Sequence, residues 1–285
     1  MGRPGAGPVF DSMGLKLQTV ATRQGWTWVR DGARLFLRRP IAFSAMLLLF
    51  LLVCGIWMAL PVVGVVALAT FPLLSLGFMV ASRSVLRGGP AHPGQFVEPL
   101  VGARARRRSL LVLCGLYGLG ALGVVMITSW IYGDAMELLR HAIAEHGPSS
   151  DQAALASADP RISNGLMSFA LLGTALSVPF WHAPALVLWG GQGVWQALFS
   201  STLSLWRAKG AYLVYGLAWA GASLLLSLGI GLIAGALGAR SSIVLLVPAL
   251  AITLSTAFYV SLWFSFVDCF GSPDDADAAP AAAEA

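Results

Sequence analysis

Residues 41–59 read IAFSAMLLLFLLVCGIWMA, and after Leu60 and Pro61 the chain resumes with VVGVVALATFPLLSLGFMVAS over 62–82. Neither run contains a charged residue. Each is long enough to cross a hydrocarbon core about 30 Å thick, which takes roughly 20 apolar residues in a helix. Pro61 breaks the pattern between them, so the reading is two spans joined by a sharp hairpin rather than one very long helix. Four more runs of this kind lie at 109–131, 165–189, 211–237 and 242–267. The sequence therefore predicts an all-α polytopic membrane bundle of six transmembrane helices, the architecture that satisfies backbone polar groups without water.

Composition agrees. Of 285 residues 57% are hydrophobic and 11% charged, and the mean hydropathy is +0.77. A soluble domain and a disordered chain are both excluded by such values. The formal charge of +5 comes mainly from arginines beside the apolar runs. That placement points to anionic lipid headgroups, not to nucleic acid.

Counting by side, Arg3, Lys16, Arg23, Arg30, Arg34, Arg38, Arg39, Arg83, Arg87, Arg104, Arg106, Arg107, Arg108, Arg207 and Lys209 fall on one face of the membrane, and Arg140, Arg161 and Arg240 on the other. This asymmetry predicts that both termini lie in the cytoplasm. Residues 1–22 read as a flexible cytoplasmic extension, with Met1 or Met13 as the start. Residues 23–270 form the membrane domain, and 271–285 a disordered acidic tail. Arg38-Arg39 before the first run has the outline of a secretion signal, but the long leader and the Val before Cys54 favour an uncleaved anchor. The cysteines, Cys54, Cys114 and Cys269, lie within or at the end of apolar runs and define no disulfide framework.

A unit recurs. Trp26, Val29, Ala33 and Phe36 repeat at helical spacing opposite Arg23, Arg30, Arg34 and Arg38. This predicts an interfacial helix with its apolar stripe in the inner leaflet and Arg30, Arg34, Arg38 and Arg39 at lipid phosphates. A shift of 169 positions lays Trp26 over Trp195, Val29 over Leu198, Phe36 over Leu205 and Arg38 over Arg207. Phe96, Val97, Leu100 and Val101, ahead of headgroup-facing Arg104, Arg106, Arg107 and Arg108, form a weaker copy. The chain thus reads as three units, each an interfacial segment followed by an out-and-back pair of spans.

Ser223, Ser227, Gly231, Gly235 and Ala239 repeat every fourth residue, and this small-residue face is expected to pack against another helix, preferably of the same chain. The alternative is a membrane-protein partner or self-association. Gly118, Gly120 and Gly123 fit a dinucleotide fingerprint, but inside a span they read as helix packing. Glu137, His141 and Glu145 share a face without forming a metal set, and no cofactor is expected.

The polar position of greatest interest is His182, bracketed by Pro179 and Pro184 within the fourth span, where a kink is expected. Tyr212, Tyr215, Arg83 and Asp268 lie at similar depth. The candidate polar site is therefore His182, Tyr215, Arg83 and Asp268, lining a cytoplasm-facing vestibule. The other reading of His182 is a neutral ring that locks helices through a carbonyl or a neighbour such as Tyr215.

Gly25-Trp26-Thr27-Trp28, Arg34-Leu35-Phe36, Leu74-Ser75-Leu76-Gly77-Phe78-Met79, Phe180-Trp181-His182-Ala183-Pro184-Ala185-Leu186-Val187 and Asp268-Cys269-Phe270 together resemble a family of proteobacterial integral-membrane proteins, over about Leu15 to Phe270. The resemblance implies the bacterial inner membrane and transfers no catalytic role to any residue. The leading expectation is a non-enzymatic protein of membrane organisation, lipid contact or partner assembly. The alternative is a small-molecule or lipid transporter working around His182. An intramembrane enzyme ranks last, because the spans hold no nucleophile–base pair and no paired carboxylates.

Overall fold

The computed structural model describes residues 17–58, 61–147, 150–236 and 240–274; the expected extension before residue 17 and the expected tail from 275 onward lie outside the described residues. Among the described residues the chain is helical, and six helices are long and apolar enough to cross a membrane. In order these elements are α1 (Gln24–Arg38), α2 (Pro40–Met58), α3 (Pro61–Ala69), α4 (Phe71–Leu86), a 3-10 turn at Pro93–Phe96, and α5 (Glu98–Val101). They continue with α6 (Arg104–His146), α7 (Asp151–Ser157), α8 (Pro160–Phe180), α9 (Ala183–Leu188), α10 (Val194–Arg207), α11 (Lys209–Ala236) and α12 (Arg240–Phe270).

Prolines and caps set these boundaries. Pro72 has no N–H to give the preceding turn, and the second span breaks at Thr70 into α3 and α4. The fourth span breaks at Trp181-His182 into α8 and α9, with Pro179 in the last turn of one and Pro184 in the first turn of the other. Asp159 caps α8 by accepting the Arg161 N–H at 2.8 Å, and Pro160 takes a first-turn position where the missing donor costs nothing. The third span, expected over 109–131, is part of a longer helix. Its helix runs 43 residues, to His146, about 65 Å at 1.5 Å per residue, and so projects well beyond the hydrocarbon.

α12 is the hub. Ala257 and Val260 join a core with Phe43, Met46, Leu47 and Phe50 of α2 and Leu74, Phe78, Ala81 and Val85 of α4. Leu262, Trp263, Phe266 and Cys269 join a second core with Trp28, Leu186, Trp189 and Tyr215. The spacing 43, 46, 47, 50, 54 on α2 is one helical stripe, while Leu48, Leu49, Leu51, Leu52, Val53 and Ile56 face outward.

Each of the three helical pairs is preceded by a short segment, and each segment packs on a different unit from its own pair. The 3-10 turn before α6 packs on α4 and α2; α10 packs on α8 and α9; α1 packs on α12 and α11. The three units thus clasp one another cyclically. The face each segment uses differs, and for α1 this corrects the expectation.

α1 buries Gly25, Trp28, Val29, Gly32, Leu35 and Phe36 against protein, while Trp26 turns outward. Its apolar stripe meets α11 and α12, not lipid, because two glycines let the backbones touch. A Cβ on Gly25 would lie 2.0 Å from the Ala211 carbonyl oxygen, and one on Gly32 would lie 2.3 Å from Ser261 Cβ. α10 buries Ala197, Ser201 and Ser204 and exposes Trp195, Phe199 and Trp206, an inside-out helix suited to lipid.

The expected packing face of α11 also needs correction. α11 is held at its first turns, where Ala211 and Tyr215 are buried, and diverges beyond them. Ser223 is half-buried, Ser227 and Gly231 are exposed, and a Cβ on Gly231 would meet nothing within 4 Å. The surroundings of Gly235 and the placement of Ala239 lie outside the described residues. Gly118 and Gly120 do pack, against Ala69 and Leu176, whereas Gly123 meets no neighbour. Residues 17–22, grouped with the extension by sequence, also touch the bundle: Leu17 and Val20 pack on the second core, and Gln18 N donates to Cys269 O at 2.8 Å.

Gly32→Leu should therefore push α1 off α12, at a cost of about 1–3 kcal/mol from overpacking. Gly221→Leu, where a Cβ meets nothing within 4 Å, should be nearly silent. Thermal unfolding in detergent, followed by exposure of buried Cys269 to a thiol reagent, would show the difference; equal melting of the two variants would refute the contact.

Candidate functional site

The break in the fourth span exposes backbone that must find partners inside the bundle. His182 N donates to Ser201 Oγ at 3.0 Å, and Ser201 Oγ reaches back to the Val178 carbonyl at 3.4 Å. Ser201 can do this because it lies on the small buried face of α10. The His182 ring is fully buried. Its Nε2 sits 2.7 Å from Tyr212 Oη of α11, and Tyr212 Oη in turn is 3.6 Å from Cys269 Sγ of α12. Phe266 and Phe270 close the remaining sides, with ring centroids at 5.8 and 5.7 Å. Nδ1 has no partner.

The other members of the candidate polar site are each bound elsewhere. Tyr215 Oη pairs with Ser261 Oγ at 2.6 Å. Asp268 Oδ2 accepts the Trp28 indole N–H at 2.7 Å, and the Trp28 ring rests on Tyr212 and Tyr215 at 5.1 and 5.8 Å. Arg83 binds Asp274, through Nε at 2.8 Å and through Nη2. These pairings do not gather the four into one vestibule: Tyr212, three residues nearer the start of α11 than Tyr215, is the hydroxyl at the histidine.

Two cavities lie on either side of this packed layer. The first, about 610 Å³, sits at membrane depth between α3–α4, α6, α8 and α12. Leu68, Phe71, Tyr117, Leu176, Phe180 and Leu262 form much of its wall, and exposed Val125 and Phe169 stand at its rim, so it opens sideways toward lipid. Its aliphatic hydroxyls are turned to their own helices: Ser75 donates to Pro72 O at 3.0 Å, Thr174 to Ala170 O at 2.7 Å and Ser177 to Gly173 O at 2.8 Å.

The second, about 620 Å³, lies at the arginine-rich end, and Arg83, Arg87, His92, Glu98, Arg106 and Trp189 contribute to its wall. Burial pushes the Asp274 carboxyl up, but the hydrogen bonds and charges of Arg83 and Arg87 outweigh it and leave the group below the ordinary carboxylate range.

Of the basic residues expected at headgroups, Arg30, Arg34, Arg38 and Arg39 are exposed on or beside α1. Arg104, Arg107 and Arg108 border a smaller recess with Leu111 and Val112, while Arg106 turns into the second cavity. At the far end of α6, Glu137 and His141 form an exposed pair 3.8 Å apart.

Sequence reading passed over Gly25 and Gly32, although their seven-residue spacing, in step with Trp28, Leu35 and Val29, Phe36, was a usable signal. It also passed over Ser201, which the run Ala197, Ser201, Ser204, Ala208 could have marked. Asp274 had no local signal, since its partner Arg83 lies 191 residues away.

No family model matches the chain, and no solved structure matches it. A curated protein of Burkholderia thailandensis, described as a "Probable inner membrane protein", is 31% identical over 268 residues, covering 90% of this chain and 94% of the relative. Six apolar spans and a match along nearly the whole of both chains place the protein: it belongs to the family of that Burkholderia protein and is a multi-pass protein of the inner membrane.

Proposed function

We propose that the protein is a non-enzymatic lipid-contact protein, which seats the apolar chain of a membrane amphiphile in the lateral cleft between α3–α4, α6, α8 and α12, with its arginine-rich end facing the cytoplasm. The observation that carries this reading is the cleft itself. At about 610 Å³ it is within the 300–1,000 Å³ of ordinary ligand sites. Its walls are apolar and aromatic, and it opens where acyl chains are. Its serine and threonine hydroxyls are tied to helix carbonyls, so the wall offers hydrocarbon contact without a nucleophile. Trp181 lines the cleft, and its indole N–H has no acceptor among the described residues. The orientation rests on the arginine count, and the exposed Arg30, Arg34, Arg38 and Arg39 then meet inner-leaflet phosphates.

A transport role centred on His182 lacks comparable support, since the ring borders neither cavity and is enclosed by Tyr212, Phe266 and Phe270.

Three outcomes are expected. Gly173 borders the cleft, and a Cβ there meets nothing within 4 Å. Gly173→Phe should fill the cleft without unfolding the bundle and lower co-purified amphiphile roughly tenfold; lipid mass spectrometry of the purified protein reads this, and unchanged retention defeats the proposal. His182→Ala should destabilise by about 2–4 kcal/mol, from the lost ring and the unpaired Tyr212 hydroxyl. His182→Gln, which can still reach that hydroxyl, should recover part of the loss. Preserved stability with lost solute flux in vesicles would favour transport instead. Reporter fusions after Arg108 should report cytoplasm, and a periplasmic signal there would reverse the orientation.

A further inference from the structure

Arg83 and Arg87 stand one helical turn apart at the end of α4 and border the second cavity. The Arg83 side chain is only 16% exposed, and its guanidinium lies over the Trp189 ring at 5.7 Å. Stacking holds a planar cation in one orientation. The two arginines already bind an oxyanion, and it belongs to the chain itself. Asp274 accepts from Arg83 Nε at 2.8 Å and from Arg87 Nε at 3.2 Å, and from Nη2 of each. Gly271, at φ +90, ends α12 and turns Pro273-Asp274 back over the recess.

The fit of that carboxylate is partial in two respects. Among the described residues, Arg106 and His92 also stand on the wall, with Glu98 as an opposing charge. A carboxylate offers two oxygens to two arginine forks, whereas a phosphate group brings three acceptor oxygens and nearly two charges. The clasp is also open to water, since the Asp274 side chain is 39% exposed and that of Arg87 53%. Ion pairs so exposed are held weakly and exchange readily.

We infer that the recess bounded by Arg83, Arg87 and Arg106 is a binding site for a phosphomonoester or inorganic phosphate, and that Asp274 is its built-in competitor. The recess is separate from the apolar cleft, and the inference does not rest on the lipid-contact reading. A phosphate of this kind could come from a lipid headgroup or from solution. The arginine geometry recognises what the two share.

The test uses the full chain in nanodiscs, in two arms. In neutral phosphatidylcholine discs, inorganic phosphate is titrated and binding followed by calorimetry. In discs containing phosphatidic acid and no free phosphate, native mass spectrometry counts retained phosphatidic acid. Binding in the first arm supports a soluble source, and binding in the second a headgroup; either upholds the site. Asp274→Asn should tighten binding about fivefold, the upper end for release from an exposed ion pair. Arg87→Gln, at a half-exposed position that the fold tolerates, should weaken it about tenfold, and Arg83→Gln at least as much. A merely structural clasp predicts the opposite for Asp274→Asn, with unchanged or weaker binding. That result, or no binding in either arm by wild type and Asp274→Asn alike, would overturn the proposal.

Discussion

Backbone N–H and C=O groups inside hydrocarbon have no water to turn to, and this constraint decides how the irregular parts of the chain are held. A continuous helix satisfies itself. A span broken at Trp181-His182 does not, and the repair comes from a side chain on another element: Ser201 takes the His182 N–H and reaches the Val178 carbonyl. That requirement explains why α10 turns serine and alanine inward and leaves tryptophan and phenylalanine outside. It also explains why α10 lies across the α8–α9 break rather than along its own hairpin. The cost of an unsatisfied amide in lipid, several kcal/mol, exceeds what the exposed aromatics lose by facing acyl chains, which is close to nothing.

What could be read from the sequence follows from the same asymmetry between local and remote information. Six spans and the kink at His182 are written in runs of apolar residues and in prolines, and the structure has both; the expected turn at residues 59–60, before Pro61, lies outside the described residues. The face a helix presents is less legible where every residue is apolar. Trp26 and Trp28 are equally good candidates for a buried stripe until Gly25 and Gly32 fix the contact with α11 and α12. The small residues of α11 look like an interface because small residues permit close approach. Permission is not contact, and Gly231 has no neighbour. Polar pairs across the bundle depend on helix rotation: Tyr212 and Tyr215 differ by less than a turn, yet one holds His182 and the other Ser261. The Arg83–Asp274 clasp joins residues at opposite ends of the chain, and no local pattern encodes it.

The cyclic clasp of the three units accounts for the location of the cleft. Units one and two close on each other through α3, α4 and α6, and units three and one through α12, α2, α4 and α1. Units two and three are bridged mainly by α10, at the arginine-rich end. Beyond that end α11 diverges, and α8 and α12 enclose space instead of each other. The Trp181–Phe258 contact, with centroids 5.8 Å apart, marks where they meet.

The layer between the two cavities bears on what kind of device this is. From Trp181, which lines the apolar cleft, the chain runs through α9 to Trp189, which lines the arginine recess. Between them Ala183, Pro184, Ala185, Leu186 and Val187 are buried, and His182 is wedged among Tyr212, Phe266 and Phe270. A conduit joining the recesses would have to unpack that layer and strip Ser201 from the broken helix, leaving backbone groups unpaired in lipid. The layer therefore separates the cationic recess at the arginine-rich end from the apolar cleft, and the two share no opening through it.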